Sequence, residues 1–345
     1  EMSASLVGSE MCIRDRANTT DTIPRPLLDR MEVIELTSYT DEEKLQITKE
    51  HLLAKERKRH GLKKSQLKLT DDAIRALITG YTRESGVRVL ERRVAALCRK
   101  ATMKIISEDV KQVSLTASDL EEFLGPRRYH PDHRETGKLV GVVNGLAWTQ
   151  VGGEMLQVEV NVVPGSGKVE LTGNLGDVMK ESARAALSYI RSRTQRLGIE
   201  EDFYKTKDIH VHFPEGAVPK DGPSAGITIT TAMVSALTGV PVRQDIAMTG
   251  EVTLRGRVLA IGGLREKTMA ALRNGMKTVL IPADNVGDLE EIDQTVRAAL
   301  RFVPVEHVDQ VLSVVLEMEG TRALPDLEAV SEPAQGTVHS LDLKQ

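Results

Sequence analysis

The spacing of apolar residues changes once along this chain, across a polar stretch at residues 126–138, and that change restricts its architecture more than any single motif. Between residues 41 and 124 the apolar positions recur about every 3.6 residues, the period of an amphipathic helix. Leu45, Ile47, Leu52 and Leu53 follow Asp41, which is predicted to cap a helix whose first turn holds Glu42 and Glu43. Ile74, Leu77 and Ile78 follow Thr70-Asp71-Asp72 and stop near Gly80. Val89, Leu90, Val94, Leu97, Ala101 and Ile105 follow Ser85-Gly86, and Ala117-Ser118 opens a short fourth helix that ends before Gly125-Pro126. Beyond residue 138, Leu156, Val158, Val160 and Val162 alternate with Gln157, Glu159 and Asn161, the period of a strand with one face buried.

Helical and extended segments then take turns. A long helix is predicted over 176–197, a strand through Ile209, Val211 and Phe213, a helix over 225–237 and a strand over 246–248. A hairpin over 252–261 turns at Arg255-Gly256-Arg257; a helix over 264–274, a strand over 278–282, a helix over 287–292, a strand over 302–305 and a helix over 308–316 follow. The pattern specifies a small helical domain followed by an α/β domain with mixed strand directions. At 345 residues the chain is long enough for two domains with cores of their own. Its formal charge of −4 gives no footprint for nucleic acid or an anionic membrane, and no run reaches the roughly 18 apolar residues of a membrane span. Cys12 and Cys98 are too few for a disulfide framework, which favours a reducing compartment. The stretch after Glu319, rich in Pro, Glu and Ser, is expected to be disordered.

Two segments carry candidate chemistry. Pro219-Lys220-Asp221-Gly222-Pro223-Ser224-Ala225-Gly226 puts a serine on a Gly/Pro turn at the start of an apolar helix, where unpaired N–H groups favour an oxyanion. Gly262-Gly263-Leu264-Arg265-Glu266-Lys267 opens a second apolar helix with a lysine that burial would keep neutral enough to take a serine proton. Other signals are weaker. Pro164-Gly165-Ser166-Gly167-Lys168 looks like a phosphate-binding loop but lacks the first glycine and the final Ser/Thr, so a hairpin turn is expected there. Ser65-Gln66-Leu67-Lys68 has S-x-x-K spacing without an apolar pocket, and His210, His212, His130, Asp132 and His133 lack a further ligand, so no metal site is expected.

The serine and lysine segments resemble those of the Lon family of ATP-dependent serine proteases, with Arg265 where the family usually has lysine. The resemblance extends through Gly145-Leu146-Ala147-Trp148-Thr149, Leu171-Thr172-Gly173, Gly176-Asp177-Val178-Met179-Lys180-Glu181-Ser182, Asp208-Ile209-His210-Val211-His212 and Met248-Thr249-Gly250-Glu251. It implies an α/β (α+β) peptidase domain at 139–318, a helical AAA+ small subdomain, or lid, at 36–125, a linker at 126–138, and the end of the AAA+ large subdomain at 17–35. Residues 1–16 resemble translated adapter sequence and are set apart, and 319–345 form the tail.

By the same resemblance Ser224 is the nucleophile, Lys267 its general base and Thr249 a residue that orients the lysine, while Trp148, Asp221 and Gly222 border the substrate groove. Asn18 matches a polar sensor, Arg30 an arginine finger offered to a neighbouring subunit, and Arg88 a second sensor on the lid. The complete enzyme would use ATP and Mg, assemble as a homohexamer in the cytoplasm and degrade unfolded or tagged proteins. Because the chain contains no G-x-x-x-x-G-K-[ST], this length of it is expected to bind no cofactor and hydrolyse no ATP alone. A peptidase-like domain that no longer cuts, and a serine–lysine peptidase independent of ATP, are the rival readings.

Overall fold

A computed structural model describes residues 20, 23–34, 38–129, 137–149, 152–214 and 219–317. The expectations for residues 1–16, Asn18, the His130–His133 cluster and the tail lie outside the described residues. The chain forms two compact units, 1–37 and 38–345. In the first, helix α1 (Arg25–Leu28) has Pro26 in its opening turn, where a missing N–H has no helical partner to lose, and none of its residues is buried.

The second unit begins with helix α2 (Asp41–Ile47), a π turn (Thr48–Leu52) and α3 (Leu53–Arg59). The cap of α2 is Thr40, not Asp41. The Thr40 hydroxyl accepts from Glu43 N at 3.1 Å and the Glu43 carboxylate accepts from Thr40 N at 2.7 Å, a reciprocal pair that leaves Asp41 as the first helical residue. Helices α4 (Asp71–Tyr81), α5 (Arg88–Ser107) and α6 (Leu120–Leu124) complete the bundle around Leu45, Ile74, Leu77, Leu90, Val94 and Leu97. Ala117-Ser118 lies in the turn before α6, where the Asp119 carboxylate accepts from Thr116 N at 2.7 Å. A parallel pair of short strands, β1 (Leu67–Leu69) and β2 (Val113–Leu115), adds an extended element to the helices.

The second domain is built on a seven-stranded mixed sheet of β3 (Val142–Thr149), β4 (Gly152–Pro164), β5 (Val169–Thr172), β6 (Lys207–His212), β7 (Ile246–Met248), β10 (Thr278–Pro282) and β11 (Arg301–Val305), in the order β11-β10-β7-β3-β4-β6-β5. The β3–β4 and β4–β6 pairs are antiparallel and the others parallel. Strands β8 (Glu251–Val252) and β9 (Val258–Leu259) form the expected hairpin. Helices α7 (Asp177–Arg191), α8 (Thr194–Leu197), α9 (Phe203–Thr206), α10 (Gly226–Thr238), α11 (Leu264–Arg273), α12 (Gln294–Ala299) and α13 (Val308–Val315) cover it. The long helix predicted over 176–197 is interrupted after Arg191, and the helix predicted over 287–292 is a 3-10 segment, Gly287–Glu291.

Alternation along the strands divides the interior in two. Val143, Met248 and Leu280 face the layer with Ile227, Ile229 and Met233 of α10, whereas Leu146, Ala247, Val279 and Ile281 face the layer with Leu264, Met269 and Ala271 of α11. The turn at 165–168 is not a hairpin turn, because β6 lies between β4 and β5. Its backbone wraps a carboxylate: Asp208 Oδ1 accepts from Ser166 N at 2.7 Å and Lys168 N at 2.8 Å. Those N–H groups hold the Asp208 carboxyl below the usual range, so an internal anion takes the position that the glycine-rich wording suggested for phosphate.

Candidate active site

The serine turn is anchored at both ends by neighbouring backbone. On its entry side Gly176 N donates to Lys220 O at 2.8 Å and Lys220 N to Asn174 O at 3.1 Å. Asp221 then accepts from Met179 N at 3.0 Å and Gly222 N at 2.9 Å, so one carboxylate satisfies a free N–H at the start of α7 and braces the turn that leads to the serine. Gly222 follows at φ 126°, a conformation closed to residues with a Cβ. Pro223 to Ala225 make a 3-10 turn that runs into α10.

Ser224 is held by its carbonyl. Ser224 O accepts from Gly250 N at 2.8 Å and from the Thr249 hydroxyl at 3.4 Å, while Ile227 N donates back to Gly250 O at 3.1 Å. Thr249 N donates to Leu280 O at 3.1 Å, which fixes this latch to the end of the β7–β10 pair. The expectation that Thr249 orients Lys267 is therefore revised: its buried hydroxyl is directed at the serine turn and bonds no lysine atom.

Lys267 lies in the first turn of α11 with 2% of its surface exposed. Loss of hydration alone lowers its pKa from 10.5 to about 8; no charged neighbour contributes, in keeping with Glu266 lying one step round the helix. An amine with this pKa is neutral in about a tenth of molecules at pH 7, against far fewer than one in a thousand for an ordinary lysine, and the neutral form is the one that acts as a base. No hydrogen bond links the two side chains. Among the described residues neither Ser224 Oγ nor Lys267 Nζ has a hydrogen-bond partner, because the 3-10 turn is fixed through the main chain and leaves the hydroxyl uncommitted.

Trp148, 58% exposed at the end of β3, stands over Gly263, the residue before α11. Arg88 is the exposed first residue of α5, and Arg30 is exposed in the turn after α1. The remaining weak signals have local explanations. Ser65 and Lys68 are both exposed, which leaves no buried amine for an S-x-x-K site. His210 and His212 both bond the Thr172 hydroxyl, at 2.8 and 2.7 Å.

Comparison with known proteins accounts for both domains. Residues 114–318 match the model of the Lon protease (S16) C-terminal proteolytic domain, and residues 58–113 that of the Lon protease AAA+ ATPase lid domain. Lon protease 1 of Bacillus subtilis (strain 168) is 56% identical over 300 residues, covering 87% of this chain and 39% of that protein. The Lon protease of Desulforamulus reducens is 51% identical over 334 residues, covering 95% of this chain and 41% of that protein, and that of Vibrio parahaemolyticus is 55% identical over 300 residues, 87% and 38%. The chain thus spans about two fifths of the length of the curated relatives it matches.

Proposed function

The chain belongs to the Lon protease family, and on that footing we propose that its α/β domain is a serine endopeptidase in which Ser224 is the nucleophile and Lys267 the general base. The observation that carries the reading is the burial of Lys267 with a pKa lowered to about 8, in the same domain as a serine turn whose hydroxyl is uncommitted. Lys267 Nζ takes the Ser224 proton as Oγ bonds to the peptide carbonyl carbon. The amine then gives that proton to the departing nitrogen as the peptide C–N bond breaks. Water releases the acyl group, again through Lys267, which restores the Ser224 hydroxyl. The N-terminal turn of α10 offers its dipole to the oxyanion, where loss of one donor costs about 2.7 to 4 kcal/mol.

Further assignments extend the proposal. The peptidase domain comprises 139–318, the lid 36–125 and the linker 126–138, with 17–35 from the AAA+ large subdomain. Trp148, Asp221 and Gly222 border the substrate groove. Arg30 and Arg88 face nucleotide in the complete protein, together with Asn18. The residues of this chain do not by themselves form a nucleotide site, since the glycine-rich phosphate cradle is not among them. Driven unfolding with ATP and Mg, a homohexameric ring, unfolded or tagged proteins as substrates and a cytoplasmic setting belong to the complete protein.

The test is cleavage of casein by the purified chain with and without a covalent serine-directed probe, repeated with Ser224→Ala and Lys267→Ala. Both substitutions are expected to abolish cleavage, and the first to abolish labelling. Cleavage that survives either one overturns the dyad.

A further inference from the structure

The lid touches the peptidase domain at the helix that carries the proposed base. Arg83, in the loop between α4 and α5, places Nη2 2.8 Å from Glu154 Oε1 on β4, and the Glu154 side chain is only 19% exposed. Both ends of this pair rest on rigid backbone. Next to Arg83, the Glu84 carboxylate accepts from Val89 N at 2.8 Å and Leu90 N at 2.7 Å in the first turn of α5, and the Glu84 carbonyl accepts from the buried Lys44 amine. Next to Glu154, Gly153 lies so close to α11 that a Cβ would sit 1.8 Å from Glu266 O, at the peptide bond that joins Glu266 to Lys267. Arg273 closes the far end of α11 onto the same strand by donating to Gly153 O at 3.1 Å.

We propose that Arg83 and Glu154 form a strut through which the lid presses β4 onto α11, so that the lid's position governs how tightly Lys267 is packed. The inference rests on the reading of Lys267 as the base. A second contact supports it: Arg265 Nη2, two residues before Lys267, lies 3.9 Å from Glu43 Oε2 at the start of α2. A small cavity remains in the seam between Lys44 and Glu84 on the lid and Gly153, Glu266, Met269 and Arg273 on the other side. Water has a foothold there if the seam opens. The charged groups along it are Asp41, Glu43, Lys44, Arg83, Glu84, Glu154, Arg265, Glu266 and Arg273, yet dehydration is the one cause acting on Lys267. Packing, rather than charge, is thus the quantity the strut controls.

The arginine and glutamate are positioning residues, tested by exchanging their charges in the full chain: Arg83→Glu, Glu154→Arg and the double exchange. The Lys267 titration is followed by NMR of ε-13C-labelled lysine, assigned with Lys267→Met, alongside the pH profile of peptide cleavage. Each single exchange is expected to raise the midpoint above about 8 towards the ordinary 10.5, and the double exchange to restore it. A rise of one pH unit removes about nine tenths of the neutral amine at pH 7, hence roughly a tenfold fall in kcat/KM there. Glu154→Gln provides a milder break should a reversal fail to fold. Midpoints that stay put in the single variants, or a double exchange no better than its parents, overturn the strut while leaving Ser224-dependent cleavage intact. A parent midpoint at 10.5 removes the base itself, and the strut with it.

Discussion

Lys267→Met tests the buried amine through stability, without reference to turnover. The folded chain lowers the lysine from 10.5 to about 8, a gap worth about 3 kcal/mol at roughly 1.4 kcal/mol per pH unit. Between those two values the unfolded chain binds a proton that the folded chain does not, so stability rises with pH across that window. Below about 8 both states are protonated and the full penalty of burying an ammonium group is present. Methionine has similar length and no charge to dehydrate. Lys267→Met is therefore expected to abolish cleavage yet be more stable than the parent at pH 7, by up to about 3 kcal/mol. The advantage should shrink steadily as pH rises from 8 towards 10.5. Urea unfolding read through the fluorescence of Trp148, the sole tryptophan and a neighbour of the α11 cap, reports on the right domain. A variant no more stable than the parent at pH 7, or an advantage unchanged by pH, would refute the reasoning.

The remaining predictions concern the groups around the dyad. The kcat/KM of peptide cleavage should climb through about 8, and a profile flat from pH 6 to about 10 would exclude a lysine base. Asp221→Ala strips the acceptor from Met179 N and Gly222 N, which should lower stability by about 1 kcal/mol and slacken the serine turn enough to reduce cleavage tenfold or more. Full activity would show that the brace is dispensable. Gly153→Ala drives a methyl group into Glu266 O and should destabilise the domain by about 1 to 3 kcal/mol in a urea melt; an unaffected melt would mean that β4 yields freely. Thr249→Val removes the hydroxyl from Ser224 O but keeps Gly250 N in place, so cleavage should weaken at an unchanged pH midpoint. A shifted midpoint would return Thr249 to the lysine.

Elements bounded by turn residues and filled by a continuous apolar run were legible in the sequence, as β7 and β10 show with limits that agree residue for residue. Strand β3 was not, because its order Val-Val-Asn-Gly-Leu-Ala-Trp-Thr sits between two covered faces and never alternates. Its wording was legible only as family resemblance. Strand order escaped prediction for a related reason. Strand β6 inserts between β4 and β5, and the turn that joins β4 to β5 closes on Asp208, forty or more residues away, a pairing of which spacing within a window carries no trace. At the site, the burial of Lys267 could be read from Leu264, Met269, Ala270 and Ala271 around it. The work of Asp221 and Thr249 could not, since each bonds a backbone atom from a distant segment.

Ser224 leads into α10, which packs against one face of the sheet, and Lys267 lies on α11, which packs against the other. Neither layer alone holds both halves of the proposed chemistry. A polypeptide still emerging from the ribosome, or one that has lost a single layer to heat, would carry a hydroxyl without a base or an amine without a hydroxyl. The proposed chemistry therefore requires both layers to be packed on the sheet at once.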